Sequence, residues 1–361
     1  MKISFIQPSR NNLKYLKWSY EAIRKNLSHK EHDTILYDRL INEVATNDVV
    51  MIYHADMYAC PNFDKYVEKY IQPGTIVSLT RIEPPLHPPG PEKIVQAFGT
   101  EPEEFNEAGL LKWFNDTRLT RKDKTTEGIF APWALYKKDF QSIGGHDDLY
   151  APQSKEDSDI FNRFLSNGYK FVQTWEGCVY HMTCRGSRYN PTLTTVGKES
   201  DEWLQQNNRS ARNFIRKWGH FVKHNDTMKP IVPKRYDVGF VVRNCDEYRL
   251  ALLEPWCDTI YTDVPYERYI QAEQKNTKFN LTKKLKRFEE QKTNDIIVEF
   301  DGTKLSNDSF EFFNMLQLML EDSGQLGTLE YDIFKLTINK LNDYSKQLIE
   351  IKDEWYNKKL L

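Results

Sequence analysis

Glycine is scarce in this chain, 16 of 361 residues, about 4% where roughly 7% is average. That scarcity excludes a collagen-like repeat, a glycine-rich linker and a low-complexity disordered chain. The five cysteines (Cys60, Cys178, Cys184, Cys245, Cys257) include no CxxC pair. A zinc ribbon and a dithiol redox motif are thereby excluded, and free thiols are expected. No stretch approaches the ~20 apolar residues of a membrane helix, and the apolar run inside MKISFIQPSRNN is too short for a secretory signal. The expectation is a cytoplasmic chain with no membrane-spanning segment. An excess of one charge is missing too: 50 Lys+Arg stand against 52 Asp+Glu, a net −2. This rules out a globally basic nucleic-acid coat, though not a local patch.

What the chain does have is large rings, 20 Phe, 20 Tyr and 8 Trp, enough for a substantial core. Its length suggests two domains. Ile3-Ser4-Phe5-Ile6 reads as a strand stopped by Pro8, and Leu13, Leu16, Tyr20, Ile23 and Leu27 recur at helical spacing. A strand at 34–37, a short helix at 38–45 and a buried-type strand at 49–53 follow. Alternating strands and helices predict an α/β layered fold with a largely parallel sheet, in which ligands sit beyond the carboxyl ends of strands. Residues 83–128 break the rhythm with the proline-rich Glu83–Pro91, read as an excursion able to cover the site. Helix is expected at 156–165, and strands at 169–173 and 178–180.

An extended linker at 228–234 divides the chain into 1–230 and 231–361. The second part, also α/β, should hold strands at 237–242, 258–262 and 296–300. Helices are expected there near 247–253, 267–274 and 309–322, with a long amphipathic helix from Leu329 to Ile351. It carries 19 Lys+Arg against 23 Asp+Glu, leaving 31 against 29 in the first, so charge names no partner for either.

Asp56 ends a hydrophobic strand, where a carboxylate is costly unless something uses it, and His181 ends another. An Asp and a His so placed suit a hard divalent ion such as Mg²⁺ or Mn²⁺, with positions left open for phosphate oxygens. Glu156, Asp157 and Asp159 open a helix, where its dipole favours carboxylates. Two basic stretches lack any acid: 207–223, with Arg209, Arg212, Arg216, Lys217 and Lys223, and 275–287, with six Lys or Arg. Either is a phosphate grip for nucleic acid or a solvated helix face. Trp113, Trp133 and Trp175 are read as sugar-stacking or core residues.

Several of these segments, taken in order, resemble the family-2 type of GT-A glycosyltransferases over residues 3–220. Ile3–Asn11 resembles that family's opening strand and nucleotide loop, and Asn47–Met57 its DxD strand. Gly144-Gly145-His146-Asp147 followed by Glu156-Asp157-Ser158-Asp159 is similar to its Gly-Gly-x-Asp…Glu-Asp-x-Asp segment. Arg216-Lys217-Trp218-Gly219 is similar to a Lys-Trp-Gly element of some members. The resemblance implies a Rossmann-like nucleotide-diphospho-sugar transferase domain with a second, smaller α/β domain. Its reaction would be inverting transfer from a nucleotide sugar, most simply of UDP type, with Mn²⁺ or Mg²⁺. It implies Asp56 and His181 as metal ligands, with His54 where the motif's first Asp usually stands. Asp157 would be the general base and Glu156 its alternate or an acceptor-orienting group, while Gly144, Gly145, His146 and Asp147 would face the acceptor. Pro8, Ser9, Arg10, Asn11, Asp38, His54, Arg185, Ser187 and Arg188 would hold the donor. The family's Asp-Asp-Gly-Ser strand is absent; only Leu36-Tyr37-Asp38 precedes His54, so base recognition falls to Asp38 or is done differently. The acceptor is a glycan or lipid-linked saccharide, or alternatively a hydroxymethylated DNA base. A non-catalytic nucleotide-sugar or glycan-binding protein is the reading of another class.

Overall fold

The computed structural model of the chain describes residues 2–7, 13–26, 33–35, 38–183 and 199–349. It is a mixed α/β structure with two sheets, packed as two compact units built from interleaved stretches. Met1–His146, Gly168–Leu204 and His224–Ile231 make the first; Asp147–Asn167, Gln205–Lys223 and Val232–Leu361 make the second.

The first unit opens with three parallel strands, β1 (Ile3–Ile6), β2 (Asp33–Ile35) and β3 (Val49–Ile52), joined by α1 (Leu13–Asn26) and α2 (Asp38–Glu43). Their spatial order is β2-β1-β3. The chain thus adds one strand to each side of β1, and the topological switch point lies between the carboxyl ends of β1 and β3. Both strands are buried throughout, as continuous apolar runs require when helices cover both faces of a sheet. The remaining strands are β4 (Met57–Ala59), β5 (Thr75–Glu83), β6 (Ile94–Val95), β7 (Thr125–Thr126), β8 (Trp133–Tyr136) and β9 (Lys170–His181). The helices among them are α3 (Phe63–Tyr70), α4 (Glu107–Asp116) and α5 (Lys137–Ser142). The sheet continues β3-β8-β5-β9-β4, with β8 antiparallel to both neighbours and β5 parallel to β9.

The two strands expected at 169–173 and 178–180 are one. In β9 the register jumps, so that Leu79 faces Thr174 while Thr80 faces Cys178. The intervening residues bulge without ending the strand, and the bulge reads in sequence as a break. Trp133 and Trp175 are buried, which settles them as core residues of this unit.

The second unit holds α6 (Glu156–Ser166), most of α7 (Asp201–Trp218), and a six-stranded sheet in the order β12-β11-β10-β13-β15-β14. Its strands are β10 (Val238–Arg243), β11 (Thr259–Thr262), β12 (Leu285–Arg287), β13 (Ile296–Asp301), β14 (Gly327–Tyr331) and β15 (Phe334–Ile338). Its helices are α8 (Glu247–Leu253), α9 (Glu267–Glu273), α10 (Leu281–Lys284) and α11 (Asn307–Ser323). The first four strands are parallel, and β15 is antiparallel to both its neighbours. Phe240, Val298, Phe313 and Phe334 lie in its core.

The long helix expected from Leu329 to Ile351 does not form: the segment holds most of the β14–β15 hairpin and a single 3₁₀ turn at Ser345–Leu348. Phe334, Leu336 and Ile338 alternate into the core, a period of two that also satisfies part of a helical pattern. Asp332, at φ +50°, makes the turn between the strands. No helix among the described residues is long and apolar enough to cross a membrane.

Candidate metal centre

In the first unit, β3 ends at Ile52, and the Tyr53 amide still donates to Ile6 (2.8 Å). Beyond this last rung the chain turns through His54, Ala55 and Asp56 into β4. Met57 is paired with His181, and the Met182 amide donates to the Asp56 carbonyl (3.0 Å). The ends of β3, β4 and β9 thereby bring His54, Asp56 and His181 together, their candidate donor atoms all within 4.8 Å of one another. Nε2 of His181 lies 3.4 Å from Oδ2 of Asp56, and the two imidazole rings are 6.2 Å apart. Asp56 and His181 keep a little exposure (14% and 13% of their side chains), so the cluster opens to solvent on one side.

The charges are strongly coupled. Burial alone pushes the Asp56 carboxyl up, but His181 and then His54 outweigh it and hold it below its ordinary range. Burial pushes the His181 imidazole down, yet Asp56 and then Glu83 bring it to about 9. A divalent cation would take the place of the proton on Nε2, on the Asp56 side of the ring. Two imidazole nitrogens with one carboxylate oxygen form a donor set suited to a first-row transition ion such as Mn²⁺, and less suited to Mg²⁺, which prefers oxygen throughout.

Two further residues, without a motif in sequence, border this cluster. Glu83 ends β5, where the pairing of Ile82 with Tyr180 sets it beside His181; its Oε1 accepts from Nδ1 of His181 at 2.8 Å. Burial raises the Glu83 carboxyl, but the His181 hydrogen bond and Arg81 hold it at about 2. Gln7, directly after β1, donates from Nε2 to Ser19 (2.5 Å) and to the His54 carbonyl (3.4 Å). Its Oε1 is buried and finds no partner among the described residues. A charged residue closing the apolar strand TIVSLTRIE was the available signal for Glu83; Gln7 had none beyond its strand-end position.

The other residues expected at a site are placed as follows. Asp38 begins α2 and engages His146 through both carboxylate oxygens (Nδ1 at 2.7 and 2.8 Å) and the His146 amide (3.1 Å). Gly144 and Gly145 both have positive φ, +79° and +70°, ending α5 in a turn that favours glycine. A Cβ on Gly145 would come within 2.9 Å of the Phe140 ring. Pro8, Ser9, Arg10, Asn11, Arg185, Ser187 and Arg188 lie outside the described residues, as does Cys184.

In the second unit, Glu156 and Asp157 occupy the first turn of α6, partly exposed. Asp159 is fully buried, held by Arg163 (2.7 Å), Lys217 (2.7 Å) and the Trp218 indole N–H (2.9 Å). Asp147 is buried as well, accepting from Lys217 (2.8 Å) and the Leu149 amide (3.0 Å). Much of the basic stretches is spent internally. Arg212 and Arg216 meet Glu254 and Glu273, Lys284 meets Glu254, and Lys278, Lys286 and Arg287 pair with Asp148, Glu290 and Glu267.

No protein-family model matches the chain, and no curated protein sequence matches it. Among solved structures, one that is similar in part is GalNAc-T7 with UDP, GalNAc and Mn²⁺, at 9% identity and a TM-score of 0.32 over 50% of this chain and 42% of that one. Another is S. aureus TarS, at 9% identity and a TM-score of 0.35 over 50% of this chain and 36% of that one. The chain thus spans less than half the length of either.

Proposed function

We propose that the chain is a metal-dependent glycosyltransferase of the GT-A type, moving a sugar from a nucleotide-sugar donor, most simply UDP-linked, to an acceptor hydroxyl with inversion. The carrying observation is the convergence of His54, Asp56 and His181 at strand ends next to the β1/β3 switch point. Carboxyl-end crevices of that kind are where open α/β sheets take nucleotides. His54, Asp56 and His181 would hold the ion, Mn²⁺ in preference to Mg²⁺. Bound there, the ion neutralises the charge that develops on the departing nucleoside diphosphate.

The other roles rest on the resemblance. Asp157, with Glu156 as alternate, takes the proton from the acceptor hydroxyl, a task for a carboxylate ionised at neutral pH. Pro8–Asn11, Asp38, Arg185, Ser187 and Arg188 serve the donor, the arginines by gripping phosphate bidentately. The turn Gly144–Asp147 faces the acceptor. Catalysis is assigned to residues 1–230, with 231–361 as accessory domain. A glycan or lipid-linked saccharide is the favoured acceptor. The internal pairing of the basic side chains leaves less free charge for the DNA phosphates that a hydroxymethylated-base acceptor would bring. A cytoplasmic location is in keeping with the free thiols of Cys60, Cys178, Cys245 and Cys257.

The test is donor hydrolysis and transfer across a panel of nucleotide sugars, with Mn²⁺, with Mg²⁺ and with chelator. Turnover that needs the metal and is lost in Asp56→Ala is expected. Metal-dependent binding without turnover on any acceptor would point instead to a sugar-nucleotide-binding protein. Salt-sensitive retention on duplex DNA would return the DNA base as acceptor.

A further inference from the structure

We propose that Glu83 is the positioning residue of the metal centre, fixing the ring of His181 so that Nε2, and not Nδ1, is presented beside Asp56. The proposal rests on the reading above that His181 is a metal ligand. An imidazole offers an ion one nitrogen at a time, and a free ring can turn about its χ2 axis or shift its proton. At His181 neither is open. Nδ1 lies 2.8 Å from Oε1 of Glu83, while Nε2 faces Oδ2 of Asp56 at 3.4 Å. A carboxylate accepts and does not donate, so the nitrogen on the Glu83 side carries the proton and the other is the one to bind metal.

Glu83 is itself immobilised. Its side chain is 3% exposed, Oε1 also meets Nη1 of Arg81 at 3.2 Å, and Oε2 meets Nζ of Lys93 at 3.1 Å. The backbone is fixed from both sides: Glu83 pairs with Val95 of β6, its carbonyl accepts from Gln96 (2.9 Å), and the preceding Ile82 pairs with Tyr180 of β9. Arg81 in turn lies over the Phe130 ring, 4.1 Å from its centroid. A rigid strand, two cations and a buried carboxylate therefore stand behind one ring nitrogen. No other acidic side chain ends an interior strand of this sheet among the described residues. The position also explains why a glutamate, whose burial is costly unless it is paired, terminates β5 at the point where the proline-rich segment leaves the sheet.

The experiment uses the full chain and three variants: Glu83→Ala, Glu83→Gln, which keeps the volume and an acceptor oxygen so that folding is preserved, and Asp56→Asn as a control. Two readouts are taken. In metal-free protein, ¹⁵N-edited NMR follows the His181 Nδ1–H proton, expected far downfield and slow to exchange in the wild type and in Asp56→Asn, and lost in Glu83→Ala. Mn²⁺ binding is then measured by electron paramagnetic resonance, with the dissociation constant expected to rise about 10- to 100-fold in Glu83→Ala and by less in Glu83→Gln. Wild-type Mn²⁺ affinity in both folded Glu83 variants, or an Nδ1–H signal that survives Glu83→Ala, overturns the role of Glu83 alone. Failure of the wild type to bind Mn²⁺ while the Nδ1–H signal behaves as expected overturns the metal reading, and the Glu83 assignment with it. A lowered melting point with unchanged Mn²⁺ affinity marks a purely structural residue and also overturns it.

Discussion

Nζ of Lys217 lies 2.8 Å from Oδ2 of Asp147, and both side chains are almost wholly buried. The same ammonium reaches Oδ1 of Asp159 at 2.7 Å, so one cation bridges two carboxylates, with Arg163 as the second cation on Asp159. Lys217→Met would remove the ammonium that both carboxylates share and leave Asp159 to Arg163. Breaking a buried pair from one side costs about 3–5 kcal/mol, so the urea midpoint should fall steeply. A loss below about 1 kcal/mol would show that the network is solvated. Lys217→Met combined with Asp147→Asn should recover part of the loss, because one of the two carboxylate charges goes with it.

His54 is the point at which the candidate metal cluster departs from the DxD motif it resembles. Replacing one imidazole by an oxygen donor should move the preference from Mn²⁺ towards Mg²⁺. His54→Asp is therefore expected to raise Mg²⁺-supported turnover relative to Mn²⁺-supported turnover. Asp56→Asn should weaken Mn²⁺ binding by about tenfold or more. Unchanged Mn²⁺ affinity in Asp56→Asn, read by titration, would remove Asp56 from the centre.

The proposed base gives a kinetic signature. Asp157→Asn should lower kcat by about 10²- to 10⁴-fold while leaving donor and Mn²⁺ affinity in place. If Glu156→Gln shows that loss and Asp157→Asn does not, the two carboxylates exchange roles.

His220 sets an acid limit on stability. Burial pushes its imidazole down to about 4, with Lys223 and Arg235 adding to the effect against the Phe221 carbonyl. The unfolded chain, with an ordinary value near 6.5, takes up a proton there before the folded one does. The stabilisation is complete above pH 6.5 and is lost as the pH falls towards 4, amounting to about 3 kcal/mol at most. His220→Phe should flatten the melting-point profile across that window; a profile unchanged between the two proteins would assign the acid limb elsewhere.

The elements most legible in sequence were those whose signal is local. Ile3–Ile6 and Val49–Ile52 are apolar runs closed by polar residues, and α6 announces itself with Glu156, Asp157 and Asp159. Asp56 and His181 stood out for the same reason, Asp56 following and His181 ending an apolar run. What escaped was set by pairing across the chain. Glu83 meets His181 only because β5 and β9 run side by side in one register, and nothing within either strand records its neighbour. The β9 bulge and the β14–β15 hairpin were obscured differently. In the first an extra stretch breaks the alternation without breaking the strand. In the second, Phe334 and Ile338 fit both an alternating and a helical spacing until a partner strand chooses between them.

The interleaving of the two units has a consequence for the order of synthesis. A ribosome delivers α6 and α7 well before β10–β15, the sheet of the unit to which they belong. Until Glu254 has emerged, the guanidinium of Arg216, buried against it at 2.6 Å in the finished protein, lacks that counter-ion. The apolar side chain of Ile215, which packs in the core of that sheet, waits with it. For the time taken to translate more than thirty further residues, that side of α7 is uncovered, the kind of nascent surface that holdase chaperones bind.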